Sequence, residues 1–377
     1  MKITILSTAF PYRGGIAVFT ERLARAFQEE GDRVKISTFS LQYPNFLFPG
    51  KSQYSSSEKP QDLAIEREVN SINPINWIRI GLKLKKQRPD ILILKYWLPF
   101  LSPCFGTISR IARSNKHTKA IVVIDNLIPH EKRFGDHLLN SYFVNSVDGF
   151  VAMSKSVFDD LSQFDTDKKK ILGVHPLYDN FGKAKSKEEA IETLGFDKNY
   201  KYMLFFGIIR KYKGLDILLE AFADNRLKNQ NLKLIVAGEF YEDAKPYHDL
   251  IKQHNLADSV ILATRFIPDK QVVDYFCAAD IIVQPYKHAT QSGVTQIAYH
   301  FEKPMLVTNV GGLNEIVPHN KAGYVCKPNA NDVANHLVDF FSKNKEGLFI
   351  EGVKKEKSKY SWDKMIENIK SLHRQIT

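Results

Sequence analysis

Met203-Leu204-Phe205-Phe206-Gly207-Ile208-Ile209-Arg210-Lys211-Tyr212-Lys213-Gly214, running into Leu215 to Phe222, is the stretch on which the fold turns. Met203 to Phe206 is continuously apolar rather than alternating, as a parallel strand covered on both faces should be. Leu215 to Phe222 follows as a helix. Between them lies a short loop that starts and ends on glycine and carries Arg210, Lys211 and Lys213. A strand, a basic glycine-bracketed loop and a helix together suit an anion held by charge-assisted contacts, such as a diphosphate. The alternative is a solvated basic loop.

The same alternation extends in both directions. Leu234 to Ala237, Val260 to Leu262, Ile281 to Val283, Met305 to Thr308 and Tyr324 to Cys326 are strand candidates with helices between them. On the N-terminal side, Ile3 to Leu6, Val34 to Phe39, Ile91 to Leu94, Ile121 to Ile124 and Phe150 to Ala152 repeat the pattern. The helix after the first strand places Ile16, Phe19, Leu23 and Phe27 on one face. With 377 residues the chain exceeds the size of one hydrophobic core. The expected architecture is therefore α/β, with two Rossmann-like, doubly wound parallel-sheet domains facing a central cleft. The boundary falls within Lys168 to Lys198, giving residues 1–175 and 176–360, and the amphipathic segment Trp362 to Ile376 is expected to return to the first domain. Gln42 to Gln61, rich in Ser, Pro and Tyr, reads as a long surface loop.

Composition narrows the function classes. Charged residues are 25% and apolar residues 44% of the chain, ordinary globular values. No apolar run approaches the length of a spanning helix, and Met1 to Thr8 is too short for a signal peptide. Cys104, Cys277 and Cys326 have no metal-binding spacing and read as buried thiols in a reducing cytoplasm. The net charge of +11 suits an anionic partner, a nucleotide diphosphate or a lipid surface. Nucleic acid is disfavoured, since no binding motif accompanies the charge. The basic runs at Lys83 to Arg88, Lys168 to Lys170 and Lys354 to Lys359 leave two readings open, a solvated face or peripheral attachment to an anionic membrane.

Two further loops have an anion-binding look. Tyr12-Arg13-Gly14-Gly15 sits between the first strand and its helix, where backbone N–H groups can approach an anion, although a tight turn would look the same. Pro285 to Val294 leads from a strand into a helix, and Thr290, Gln291, Ser292 and Gly293 could present amides to a phosphate or merely cap the helix. P-loop, dinucleotide and zincin motifs are absent. Asp165-Thr166-Asp167 has the Asp-x-Asp form of a metal holder but stands beside three lysines, away from a strand end.

Taken together, these residues resemble family 4 of the retaining glycosyltransferases over nearly the whole chain. Gly14-Gly15, Gly207 through Lys213-Gly214, Phe266-Ile267-Pro268-Asp269, and Gly311-Gly312-Leu313-Asn314-Glu315-Ile316-Val317 match its motifs in order and spacing. The resemblance implies the GT-B fold. It further implies a hexosyltransferase-like enzyme needing no metal or cofactor, which moves a sugar from a nucleotide-diphosphate sugar to a glycan or lipid-linked acceptor in bacterial surface polysaccharide synthesis. It implies that Arg210 and Lys213 neutralise the diphosphate, that Ser292, Gly293 and Val294 cap it, and that Phe266 and Ile267 hold the base. Gly14, Gly15, Gly207, Glu239 and Glu315 complete the expected donor set.

The sequence departs from the family pattern in informative places. Arg210 lies three residues after Gly207, where the family commonly has two. Its Glu-x7-Glu motif is missing, since Tyr286 to Phe301 contains no acid. Gln296 is the expected replacement at the ribose, and Gln291 at the sugar. After Ile121 to Ile124 many members carry a His, but this chain has Asp125-Asn126, with His130 further on. Asp125 and His130 are the candidates for orienting an acceptor hydroxyl. The runner-up activities are a nucleotide-sugar epimerase of the same fold and a non-catalytic sugar-nucleotide binder.

Overall fold

The computed structural model of the chain describes every residue except 45–51, 56–57, 129–133, 165–166, 229 and 290–291. It divides into two compact units, residues 1–176 with 361–377, and 177–360.

In the first unit seven parallel strands run in the order β3-β2-β1-β4-β5-β6-β7. They are β1 (Lys2–Leu6), β2 (Arg33–Leu41), β3 (Ile65–Asn70), β4 (Ile91–Tyr96), β5 (Lys119–Ile124), β6 (Gly149–Ala152) and β7 (Lys169–Leu172). The connecting helices are α1 (Gly15–Glu29), α2 (Pro74–Gln87), α3 (Ser102–Arg113), α4 (Asp136–Val144) and α5 (Lys155–Leu161). Strands β4 and β5 are covered on both faces, which is why they read as unbroken apolar runs. Within α1, Phe19, Leu23 and Phe27 are buried as their spacing requires, whereas Ile16 stays half-exposed.

Two strands were not legible. Edge strand β3 carries Glu66, Arg67 and Glu68, with Glu66 and Glu68 ion-paired to Lys83 of α2, so its polar face conceals it. At the other edge, β7 begins on lysines and occupies part of the expected interdomain stretch. The Asp-x-Asp motif therefore falls between α5 and β7, inside the first unit, with Asp165 outside the described residues. The expected long loop also lies partly outside them, but Tyr54 bridges back to Tyr12.

The second unit opens with α6 (Lys187–Leu194), which is fixed by a reciprocal capping box between Ser186 and Glu189 and closed by Gly195 in the left-handed region. Its six parallel strands run in the order β10-β9-β8-β11-β12-β13. These are β8 (Lys201–Phe206), β9 (Leu232–Ala237), β10 (Val260–Ala263), β11 (Ile281–Gln284), β12 (Met305–Thr308) and β13 (Gly323–Cys326). Helices α7 (Leu215–Phe222), α8 (Asn225–Lys228), α9 (Lys245–Gln253), α10 (Asp269–Ala278), α11 (Gly293–His300), α12 (Leu313–Ile316), α13 (Ala330–Ser342) and α14 (Glu346–Lys357) complete the unit. Both sheets reverse direction beside their first strand, at β1/β4 and at β8/β11, and at such a switch point the loops part to leave a crevice.

The last helix, α15 (Trp362–Ile376), belongs to the first unit. It buries Trp362, Met365, Ile366, Ile369 and Leu372, with Trp362 5.3 Å from the Phe19 ring and Lys370 paired to Asp32 at 3.0 Å. Leu372 fills the space over Gly149 of β6, where an added methyl would come within 3.1 Å of its Cδ1. Leu372→Ala is accordingly expected to cost about 2–5 kcal/mol. Hydrogen exchange should show protection falling in β5 to β7 while β8 to β13 keep theirs.

Candidate active site

The loop after β8 is held by backbone contacts that only glycine permits. Gly207 has φ +102° and donates to the Ala237 carbonyl, while Ile209 N–H donates to the Glu239 carbonyl at 2.9 Å. A methyl on Gly238 would stand 1.9 Å from the Gly207 oxygen, and one on Gly214 would stand 2.0 Å from the Pro285 oxygen. The loops after β8 and β11, on either side of the switch point, are therefore in direct backbone contact. Lys287 N–H donating to the Tyr212 carbonyl at 2.7 Å, and the Lys287–Asp216 ion pair, hold them together.

This arrangement places Arg210 and Lys213 together, both half-buried, and neither forms an ion pair among the described residues. Lys213 Nζ lies 5.4 Å from the Tyr286 ring centre, and the Arg210 guanidinium lies 5.5 Å from that of Tyr241. Burial lowers the Lys213 pKa, and the Arg210 charge lowers it further. Two cations that disfavour each other, with no carboxylate between them, form a ready anion site. Lys211, by contrast, is exposed, and its N–H is engaged by Glu242 at 2.8 Å.

Several expected donor contacts turn out differently. Ser292 is buried, and its Oγ accepts the Val294 N–H at 3.2 Å, so that amide serves the helix cap instead of facing a phosphate. Gly293 packs against the Tyr178 ring, where a methyl would come within 2.6 Å of a ring carbon. Gln296 is fully buried, with no partner for either amide atom among the described residues, as is Gln284 at the end of β11. Each unpartnered amide costs about 1–3 kcal/mol. Gln291 lies outside the described residues.

The other expected donor residues also leave the carboxyl ends of strands. Glu239 is buried just after β9, Phe266 and Ile267 follow β10, and Glu315 is exposed on α12 after β12. They share one edge of the sheet, as the switch-point geometry requires.

In the first unit, Gly14 takes φ +104° and Gly15 begins α1. Asp125, at the carboxyl end of β5, is paired at 2.6 Å with Lys95, a residue that sequence reasoning missed. Lys95 is almost fully buried on β4, with Nζ 3.7 Å from the Phe19 ring centre. Buried beside them, His175 donates its Nδ1–H to the Pro176 carbonyl, 2.8 Å away. The available signal was the single lysine in the otherwise apolar Ile91-Leu92-Ile93-Leu94-Lys95-Tyr96. A buried charge of that kind needs a partner, and Asp125 supplies it. His130 lies outside the described residues.

Residues 13–179 match the family model described as Glycosyltransferase Family 4, and residues 186–358 match Glycosyl transferases group 1. The chain belongs to glycosyltransferase family 4. An uncharacterized glycosyltransferase of Methanocaldococcus jannaschii is 24% identical over 381 residues, covering 100% of this chain and 99% of that protein. Among solved structures, sucrose-phosphate synthase from Thermosynechococcus elongatus superimposes with a TM-score of 0.77 at 16% identity over 99% of this chain and 98% of its own. An Anabaena protein solved with UDP and glucose gives 0.72 at 16% identity, over 100% and 98%. The family 4 chain thus has the GT-B fold and is a glycosyltransferase.

The buried imidazole of this transferase has a consequence for acid stability. Burial, with help from the Lys95 charge and against the opposing pull of Asp125, lowers the His175 pKa to about 4. The unfolded chain therefore takes up this proton first as pH falls, so the contribution of neutral His175 is full above about 6.5 and is lost between there and about 4. Urea unfolding at pH 7 and pH 5 should show the first unit weakening, and His175→Gln should flatten that decline. An unchanged slope in the variant would remove His175 as its cause.

Proposed function

We propose that this glycosyltransferase moves a hexose, with retention of configuration, from a nucleotide-diphosphate sugar to a glycan or lipid-linked acceptor in bacterial surface polysaccharide assembly. The observation that carries the donor half is the pair Arg210 and Lys213, two half-buried cations without a carboxylate partner among the described residues, at the β8/β11 switch point. The Anabaena protein with UDP and glucose bound supports a nucleotide-sugar donor. The retaining outcome, the hexose and the surface-polysaccharide role rest on the resemblance to the family. The second unit is assigned the donor and the first the acceptor.

In this reading the chemistry is electrostatic. As the glycosidic bond breaks, charge grows on the departing diphosphate, and two preorganised cations in a half-dry loop stabilise it most at that moment. A leaving group so stabilised needs no strong general acid. The cations also take the place that a divalent ion would hold, so the proposed enzyme works without metal. In the first unit Asp125, paired with Lys95, is assigned the orienting of the acceptor hydroxyl. The three cysteines are buried and free, in keeping with a cytoplasmic location.

Release of nucleotide diphosphate only when acceptor is present tests transfer against epimerisation and simple binding. Lys213→Ala is expected to lower turnover by about 2.7–4 kcal/mol, with nucleotide affinity affected less. Arg210→Lys should be impaired, though less than Arg210→Ala, because it keeps the charge but loses the planar fork. Exposed Lys211 is the control, and its alanine variant should be near wild type. Full turnover by folded Lys213→Ala at saturating donor would remove the central support. Activity should also survive excess chelator; a strict need for magnesium or manganese would overturn the metal-free mechanism.

A further inference from the structure

Helices α2, α3 and α4 lie side by side on one face of the first sheet, with α3 in the middle. They are packed closely. A methyl on Gly81 of α2 would come within 2.7 Å of Ile111 Cβ, and one on Gly106 of α3 within 2.5 Å of the Tyr142 ring. Their inner sides, including Ile80, Leu84, Phe105, Ile108 and Phe143, build the core. A soluble layer of this kind should turn polar residues outward.

This one does not. Along α2, Ile75 is 79%, Ile78 48% and Leu82 53% exposed, an apolar row at positions i, i+3 and i+7 on the side away from the core. On α4, Leu138 is 73% exposed, one turn from exposed Tyr142 and one turn after Phe134, which stands free before the helix. Single exposed leucines need no explanation, but two apolar rows on the outer helices of one layer do.

The charge around the α2 row is one-sided, while α4 carries no lysine or arginine and one acid, Asp136. Residues 69–124 contain ten lysines and arginines and a single acid, Asp90, which carries most of the chain's net charge of +11. Asp90 is already engaged by the Lys2 N–H and by His117. Arg79, Lys85, Lys86 and Arg88 are exposed on or just beyond α2, and none of them forms an ion pair among the described residues. The lysine run near the C-terminus differs, since Lys354, Lys357 and Lys359 are paired with Glu351, Glu302 and Glu356. On α14 a single exposed lysine without an ion pair among the described residues, Lys355, accompanies a single exposed leucine, Leu348, whereas α2 sets four such cations beside a row of three exposed apolar side chains.

We propose that the outer face of α2 and α4 docks on an anionic phospholipid bilayer, with Ile75, Ile78, Leu82 and Leu138 entering the interface and Arg79, Lys85, Lys86 and Arg88 meeting the headgroups. A bilayer supplies both complements at once, negative charge at its surface and an apolar layer beneath it. No helix among the described residues is long and apolar enough to cross a membrane, so this docking is peripheral. It does not depend on the proposed reaction, and the experiment reads binding without turnover, so either can fail alone.

The test is co-sedimentation of the full chain with vesicles of phosphatidylcholine alone, and of phosphatidylcholine and phosphatidylglycerol in equal parts. Binding is expected to the second at low salt and to weaken as salt is raised. Lys85→Ala and Lys86→Ala should each lower the partition coefficient about fivefold. The double variant Ile75→Ser, Leu82→Ser alters only exposed side chains, so it should fold and melt as wild type yet lose at least tenfold in binding. Lys354→Ala should bind as wild type. Absence of binding at low salt would overturn the proposal, as would binding that ignores the Ile75/Leu82 change. Self-association abolished by that change, without vesicle binding, would assign the face to a second copy of the chain instead.

Discussion

The site of the second unit depends on two carbonyl oxygens with no room beside them. The Gly207 and Pro285 carbonyls each lie so close to a neighbouring glycine, Gly238 and Gly214, that a methyl there would approach within 2.0 Å. Because the loops after β8, β9 and β11 touch through bare backbone, the turn from Arg210 to Lys213 has no freedom to swing into solvent. Two like charges are thereby kept near each other in a half-buried place, which a mobile loop would relieve by letting them separate. The glycines thus act on the chemistry indirectly, by denying the cations an escape.

The two units handle buried positive charge in opposite ways. In the first, Lys95 is deep in the sheet and its ammonium is satisfied by Asp125 and by the Phe19 ring, while burial keeps its pKa below the ordinary lysine value. That charge serves to hold the Asp125 carboxylate in position, and removing either partner would strand the other. In the second unit Arg210 and Lys213 have rings nearby but no carboxylate, so their electrostatic demand is left for a ligand to meet. A paired cation organises a neighbouring group, whereas an unpaired one waits for an anion.

What could be read from the sequence follows the same physics. The β8 strand, its loop and α7 were legible because continuous apolarity, paired glycines and clustered cations all point to one local structure. Strands β3 and β7 were not, because an edge strand keeps one side wet and mixes charges into its pattern, and Lys169 and Lys170 of β7 looked like linker. Lys95 escaped because no local rule signals a buried ion pair whose partner sits thirty residues away on the next strand. The burial of Gln296 escaped for another reason. Val294 to Tyr299 are all buried, so α11 has no amphipathic phase from which to tell an inward side chain from one that meets a ligand.

That last case bears on why acids are missing from this region. The stretch from Tyr286 to Phe301 contains none, and the buried polar positions on β11 and α11 are Thr295, whose hydroxyl donates to the Ser292 carbonyl, and Gln284 and Gln296, amides with no partner in the described residues. A glutamate buried at position 296 would have to be ionised without a counter-charge or remain protonated, and either state costs more than an amide. A carboxylate closer to the β8 loop would do worse, pairing with Arg210 or Lys213 and cancelling the charge that defines the site. With neutral amides, the region bears an unpartnered-group cost of about 1–3 kcal/mol each and leaves both cations uncommitted. The loss of acidic residues from Tyr286 to Phe301 and the retention of two cations without an ion pair among the described residues are in this sense one design, in which that stretch adds no negative charge to weaken the positive field at the switch point.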